Sequence, residues 1–220
     1  MKLLASLIFI FAIGAIATAA HSIPNWQKIT YQNAAGESHV FALKEPTEIN
    51  ADSYIFIYMH GAAGLEEQGM ELFPSLRKLL TEKKWIYVCP RDDDYQGLRN
   101  ELELRYGKHL IFLSGASAGG NSAFEEATRN PSAYKGLILL CPAIDPGAIT
   151  QKTALSLKMP VWIIAGDRDG ISIDASRKLY QLLRSAHRPV DYDEIPGGNH
   201  NAPLTQINWR DAVSFVLQQK

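Results

Sequence analysis

The chain has 220 residues, with 22 Lys and Arg set against 23 Asp and Glu for a formal net charge of −1. That balance leaves no cationic excess to hold nucleic acid, and no basic stripe or finger spacing supplies one locally. With 46% hydrophobic residues and no linker or low-complexity stretch, the length suits one domain with a substantial core.

The first twenty residues are Lys2, an apolar stretch from Leu3 to Ala17, and the small residues Ala17, Thr18, Ala19 and Ala20. A charged start, an apolar middle and a small-residue end describe a secretory signal peptide over 1–20. Residues 21–220 then form a single domain, and the expected location is secreted or periplasmic, with no stable membrane insertion after cleavage. Trp26 to Gln32 and Glu37 to Leu43 flank Asn33, Ala34, Ala35 and Gly36, the pattern of a β-hairpin. Beyond it, strands at 54–59, 85–89, 110–114, 137–141, 161–165 and 190–195 alternate with helices near 66–83, 97–106, 119–130, 172–186 and 205–218. Such alternation predicts an α/β fold with a mostly parallel sheet covered by helices on both faces. Trp85 and Trp162 read as core, and Trp209 as the contact that packs the last helix on the sheet.

Each strand hands over to a loop of distinct chemistry. After 54–59 comes His60, Gly61, Ala62, Ala63 and Gly64, where small residues let the backbone approach a bound molecule closely. After 85–89 come Asp92, Asp93 and Asp94, read as a solvated acidic loop; they lack the glycine and distal glutamate of a calcium loop. After 110–114 comes Gly115, Ala116, Ser117, Ala118 and Gly119, opening a helix. A serine at the apex of a strand-to-helix turn is lifted clear of the sheet, and Ser117 is the candidate nucleophile. Ser114 and Ser122 do not occupy that apex.

The connection from Pro142 to Lys158 is 17 residues long and holds Pro146 and Gly147. It has room for a short helix and none for a cap domain, which predicts an open site. The strand 161–165 leads into Gly166, Asp167, Arg168, Asp169 and Gly170, a loop with two carboxylates. Strand 190–195 leads into Pro196, Gly197, Gly198, Asn199 and His200. A serine hydroxyl needs a positioned base, itself held by an acid. His200 is the candidate base; His187 sits near a helix end, and His60 precedes the nucleophile and is placed to hold its own loop by a hydrogen bond. His21, His39 and His109 read as surface or strand-edge residues. The oxyanion donors expected are the Ala118 N–H and one from the His60 loop, Ala62 in the first instance, with Ala63 left open.

Cys89 and Cys141 invite a disulfide reading in an exported protein. Both end predicted strands, and if the strand order resembles that of the α/β-hydrolase superfamily, two strands lie between them and their Cα atoms would be roughly 14 Å apart at ~4.8 Å per step, beyond the ~7 Å reach of a bridge. Two buried free thiols are expected.

Taken together, the His60 loop, the Gly115 to Gly120 turn, the Gly166 to Asp169 loop and the Gly198 to His200 segment resemble the α/β-hydrolase superfamily. The chain looks like a small, cap-less secreted serine esterase, similar to polyester depolymerase-like and feruloyl-esterase-like proteins. The resemblance implies a sheet of about eight strands with an N-terminal antiparallel hairpin, and a triad in the order Ser, Asp, His. It also implies that Asp169 is the acid and Asp167 a loop-structuring residue; Asp145, after strand 137–141, occupies the position the acid takes in some relatives. The expected reaction is carboxylic ester hydrolysis through an acyl-enzyme, on a small-molecule or polymer-end ester, with no cofactor or metal. A peptidase or amidase on the same machinery, and a non-catalytic binding protein on the same fold, are the alternatives.

Overall fold

A computed structural model describes residues 25–218. Segment 1–20, read from the sequence as a signal peptide, and His21 lie outside the described residues. Eight strands form one sheet: β1 (Gln27–Gln32), β2 (Ser38–Lys44), β3 (Ile55–Met59), β4 (Ile86–Pro90), β5 (Ile111–Ala116), β6 (Tyr134–Leu140), β7 (Val161–Gly166) and β8 (Val190–Ile195). Their spatial order is β1-β2-β4-β3-β5-β6-β7-β8. The β1/β2 and β2/β4 pairs are antiparallel, and every pair from β4 to β8 is parallel.

The sequence explains this layering. β3, β4, β5 and β7 are continuous apolar runs, buried along their whole length, as strands covered on both faces must be. Period-2 alternation then divides their side chains between two cores. Ile55, Ile57 and Leu113 pack toward α3 (Tyr95–Tyr106), α4 (Ala118–Arg129), α5 (Gln151–Ser156) and α6 (Ile173–Ser185). Phe56, Tyr58 and Phe112 pack on the other face, toward α1 (Glu66–Leu72), α2 (Pro74–Glu82) and α8 (Trp209–Gln218). Trp209 is buried there, edge-on to Phe56 and Phe73. β8 carries Asp191, Asp193 and Glu194 and is only half buried, which blunts an edge that could otherwise recruit another strand.

Two of the expected helical stretches are each divided in two. The stretch 66–83 is two helices, broken at Phe73 (φ −122°, ψ 79°), because Pro74 disfavours a helical residue before it and serves instead as the first residue of α2. The stretch 205–218 is α7 (Ala202–Gln206) and α8, separated by Ile207, whose backbone leaves the helix (φ −59°, ψ 130°), and by Asn208, whose side chain accepts the Arg210 N–H. Helix α3 starts two residues earlier than expected, at Tyr95, because the Asp94 side chain accepts the Gly97 N–H and caps it. Cys89 and Cys141 are free and buried, with β3 and β5 between their strands. No described helix is long and apolar enough to cross a membrane.

Parallel strands end on one edge of the sheet, so the loops after β3, β4, β5, β7 and β8 gather there. Between β6 and β7 the connection contains only α5, capped by Thr150 and Thr153.

Candidate active site

The β5 to α4 turn is tight enough to force an unusual backbone on Ser117, with φ 54° and ψ −120°. L-residues rarely adopt that conformation, and such strain concentrates at functional sites. Glycine makes the turn possible. A Cβ on Gly115 would lie 2.2 Å from the Gly119 oxygen, and one on Gly119 would lie 2.2 Å from the Met59 and His60 oxygens. Helix α4 therefore starts in direct contact with the ends of β3 and β5. The turn is held by Ser117 N–H donating to the Leu140 oxygen and by the Ser117 oxygen accepting from Asn121 and Ala143.

His200 reaches Ser117 from the loop after β8. Its Nε2 lies 2.9 Å from Ser117 Oγ and its Nδ1 lies 2.7 Å from Asp169 Oδ2. With Nδ1–H donating to the carboxylate, Nε2 carries the free lone pair and accepts the serine proton. The acid and base loops are stitched together by Asp167 N–H to the Ile195 oxygen and Arg168 N–H to the Gly198 oxygen. Asp169 is buried. Burial alone would raise its pKa; the Ser172 hydroxyl, the His200 ring and the Ile171 N–H together outweigh it and hold the carboxyl below its ordinary range.

Not every sequence candidate converges on this point. Asp167 points elsewhere, with a buried Oδ1 that has no partner among the described residues. Asp145 closes an exposed turn on the Gly147 N–H. His187 ends α6 in a left-handed turn, His39 pairs with Asp92, and His109 faces the Ser53 oxygen. Asp93 and Asp94 hydrogen-bond Tyr95 and Tyr31 respectively, so the acidic run is a braced loop.

Ala118 is the first residue of α4, and its N–H belongs to the helical first turn whose donors have no partner within the helix. The Gly61 oxygen accepts from the Gly64 N–H at 3.1 Å and lies 2.9 Å from His60 Nδ1. In a planar trans peptide the N–H opposes the C=O, so the Ala62 N–H is turned to the side away from these donors. Ala63 follows in the left-handed region, at φ 56°.

A cavity of about 290 Å³ opens over Ser117 and His200, walled by Tyr58, Leu72, Cys141 and Leu204. Burial pushes the Cys141 thiol up to about 12, so this wall stays uncharged. A second cavity of about 220 Å³ lies across the His60 to Ala63 loop, beside Tyr95 and Ser122. A larger open groove, about 700 Å³, runs along α6 and β8 past Arg184 and Tyr192 and contains none of these residues.

Sequence reasoning missed Ser172. It stands where a helix N-cap belongs, yet its hydroxyl makes no cap bond and goes to Asp169 Oδ2 instead. A serine three residues after a carboxylate carries no signal that separates these two uses.

Sheet order, strand sense and turn geometry define the α/β-hydrolase fold. No family model and no curated protein matches the sequence. Among solved structures the chain is similar to a thermostable esterase (TM-score 0.70, 16% identity, 89% of this chain and 63% of that one). It is also similar to an S-formylglutathione hydrolase from Staphylococcus aureus (TM-score 0.68, 13% identity, 87% and 98%). A third is a ferulic acid esterase from Anaeromyces mucronatus (TM-score 0.66, 16% identity, 91% and 91%). The chain thus spans less than two thirds of the length of the thermostable esterase, and at these identities the likeness is one of fold.

Proposed function

We propose that the protein is a serine hydrolase of carboxylic esters. Ser117 Oγ attacks the ester carbonyl while His200 Nε2 takes its proton, and Asp169 steadies the imidazolium so formed. The Ala118 and Ala62 N–H groups receive the charge that develops on the carbonyl oxygen. His200 then returns the proton to the leaving alcohol, which departs and leaves an acyl-enzyme. A water deprotonated by His200 attacks that ester, and the acid and free Ser117 are released. No step in this sequence calls for a cofactor or metal.

The observation that carries the reading is the unbroken hydrogen-bond chain from Asp169 through His200 to a strained Ser117, at 2.7 and 2.9 Å. A non-catalytic binding protein has no use for that strain or that alignment. The esterase names of the structural relatives favour esters over amides as the substrate class. The run of Leu3 to Ala17 followed by small residues supports export of the domain 21–220 to the periplasm or beyond, where small or polymer-end esters would be its substrates.

The test is hydrolysis of p-nitrophenyl esters by the wild-type protein and by Ser117→Ala. Turnover by the wild type with a loss of at least about 10³-fold in the variant is expected. Equal rates in both proteins would remove Ser117 from the chemistry. Cleavage of matched amides or peptides as fast as esters would move the assignment to a peptidase.

A further inference from the structure

Glu66 is the most conspicuous charge outside the triad. Its side chain has no solvent exposure, and it is the residue that follows the His60 to Leu65 loop, at the start of α1. Arg91, the residue after β4, grips it with both arms of the guanidinium: Nε to Oε2 and Nη2 to Oε1, each at 2.7 Å. Lys28 of β1 adds a third contact at 2.8 Å. A buried carboxylate is a costly way to hold a helix on a sheet, since apolar residues of similar volume serve that purpose as well or better. A forked pair does something apolar packing does not: it fixes the direction of a backbone.

The backbone so fixed is Arg91's own. Its N–H is tied to the Val40 oxygen, and its carbonyl oxygen faces His60 Nε2 at 3.2 Å. The other ring nitrogen of His60 faces the Gly61 oxygen, and the ring lies so close to Gly64 that a Cβ there would stand 2.7 Å from Nδ1. Whichever ring nitrogen carries the proton donates to the carbonyl it faces, so the ring is tied to one of these two oxygens. Resting on our assignment of the Ala62 N–H as an oxyanion donor, we propose that Glu66 is a positioning residue of the oxyanion hole. By clamping Arg91 it sets the carbonyl against which His60 rests, and His60 sets the Gly61–Ala62 peptide. The ion pair joins the two loops that flank the hole, so its loss frees both at once.

The experiment measures kcat and KM on a short p-nitrophenyl ester, inhibition by a trifluoromethyl ketone, and Tm, for wild type, Glu66→Gln, Arg91→Lys, His60→Ala and Glu66→Gln/His60→Ala. The ketone forms a hemiketal oxyanion on Ser117 and so reports on the hole. Glu66→Gln is expected to lower kcat by about tenfold, less than the ~10²–10³ of outright donor removal, with KM within about twofold. Ketone affinity falls by the same factor, because the oxyanion is shared with the transition state. Arg91→Lys keeps the charge and loses the fork, and shows a smaller loss of the same kind. In His60→Ala the Glu66 substitution costs nothing more, since the link through which it acts is gone.

A Glu66→Gln protein that keeps wild-type kcat while its Tm falls overturns the proposal and leaves a merely structural ion pair. If Glu66→Gln does not fold, Arg91→Lys with unchanged kcat and ketone affinity overturns it equally. Full additivity in the double variant also overturns it. A wild type inert toward esters and ketone alike brings down the serine-hydrolase reading and this one with it, whereas an active wild type with an unaffected Glu66→Gln brings down this one alone.

Discussion

Ser172 turns Asp169 from a buried liability into a stable anion. Asp169 loses water on burial, and three donors replace it: the Ser172 hydroxyl and His200 Nδ1 on Oδ2, and the Ile171 N–H on Oδ1. Removing one donor from a buried carboxylate leaves it both less stable and less firmly aimed. Ser172→Ala is expected to lower kcat by about three- to tenfold and to lower stability by about 1–2 kcal/mol near neutral pH. The sign of its pH dependence follows from the depressed pKa of Asp169. The stabilisation is fully present above the ordinary carboxyl range and is lost as pH falls through the folded value. The Tm gap between wild type and Ser172→Ala should therefore be constant from neutrality down to about pH 4 and narrow below it. Melting curves taken across that range decide the matter, and a gap that widens in acid would contradict this account of Asp169.

At the scale of elements, the site depends on how closely α4 approaches β3 and β5. Gly119→Ala places a methyl 2.2 Å from two carbonyl oxygens at the end of β3, atoms that cannot swing aside as a side chain can. A cost of about 2–4 kcal/mol is expected, read from urea unfolding, together with loss of ester turnover because the displaced strand end carries His60 and the oxyanion loop. An unchanged midpoint would mean that the β3 end yields freely.

The contrast between elements explains what the sequence made legible. The buried strands are uninterrupted apolar runs, and the turn around Ser117 is bounded by glycines that only a tight turn requires. Both signals are local, so β3 to β7 and the Ser117 apex could be read directly. The breaks at Phe73 and at Ile207 were missed because amphipathic periodicity runs on through them, while what ends each helix acts on a single residue: Pro74 on Phe73, and the Asn208 side chain capping α8 at the Arg210 N–H. Separating Ala62 from Ala63 depends on which way one peptide faces, and the contacts bearing on it, from His60 and Gly64 to the Gly61 oxygen, leave no trace in the sequence. The Glu66–Arg91 contact joins residues 25 positions apart, and Ser172 differs from a cap only in where its hydroxyl turns. No spacing rule encodes such choices.

At the scale of the whole molecule, substrate size is set by what does not cover the sheet edge. The connection between β6 and β7 holds a single helix, the six residues of α5, and of that connection the cavity over Ser117 is lined by Cys141 alone. What remains is the cavity of about 290 Å³ between α1 and α7, walled by Tyr58, Leu72, Cys141 and Leu204. At ≈30 Å³ for a water-sized group, it has room for roughly ten non-hydrogen atoms. An acyl chain of four to eight carbons, as an order-of-magnitude range on that packing figure, fills it. A hexadecanoyl chain leaves most of its methylenes in water, and each one left exposed forgoes about 0.8 kcal/mol of burial. Within the ester series, kcat/KM should therefore rise from acetate to a level reached near butanoate to octanoate and gain nothing from further methylenes, with palmitate no better than octanoate. An enzyme gated by a lid jumps in rate when its substrate aggregates, because the interface opens the lid. An uncovered site has no such transition, and rates followed through the critical micelle concentration should rise smoothly. A sharp jump there, or a palmitate optimum, would require a hydrophobic surface that opens beyond the cavity at Leu72 and Leu204.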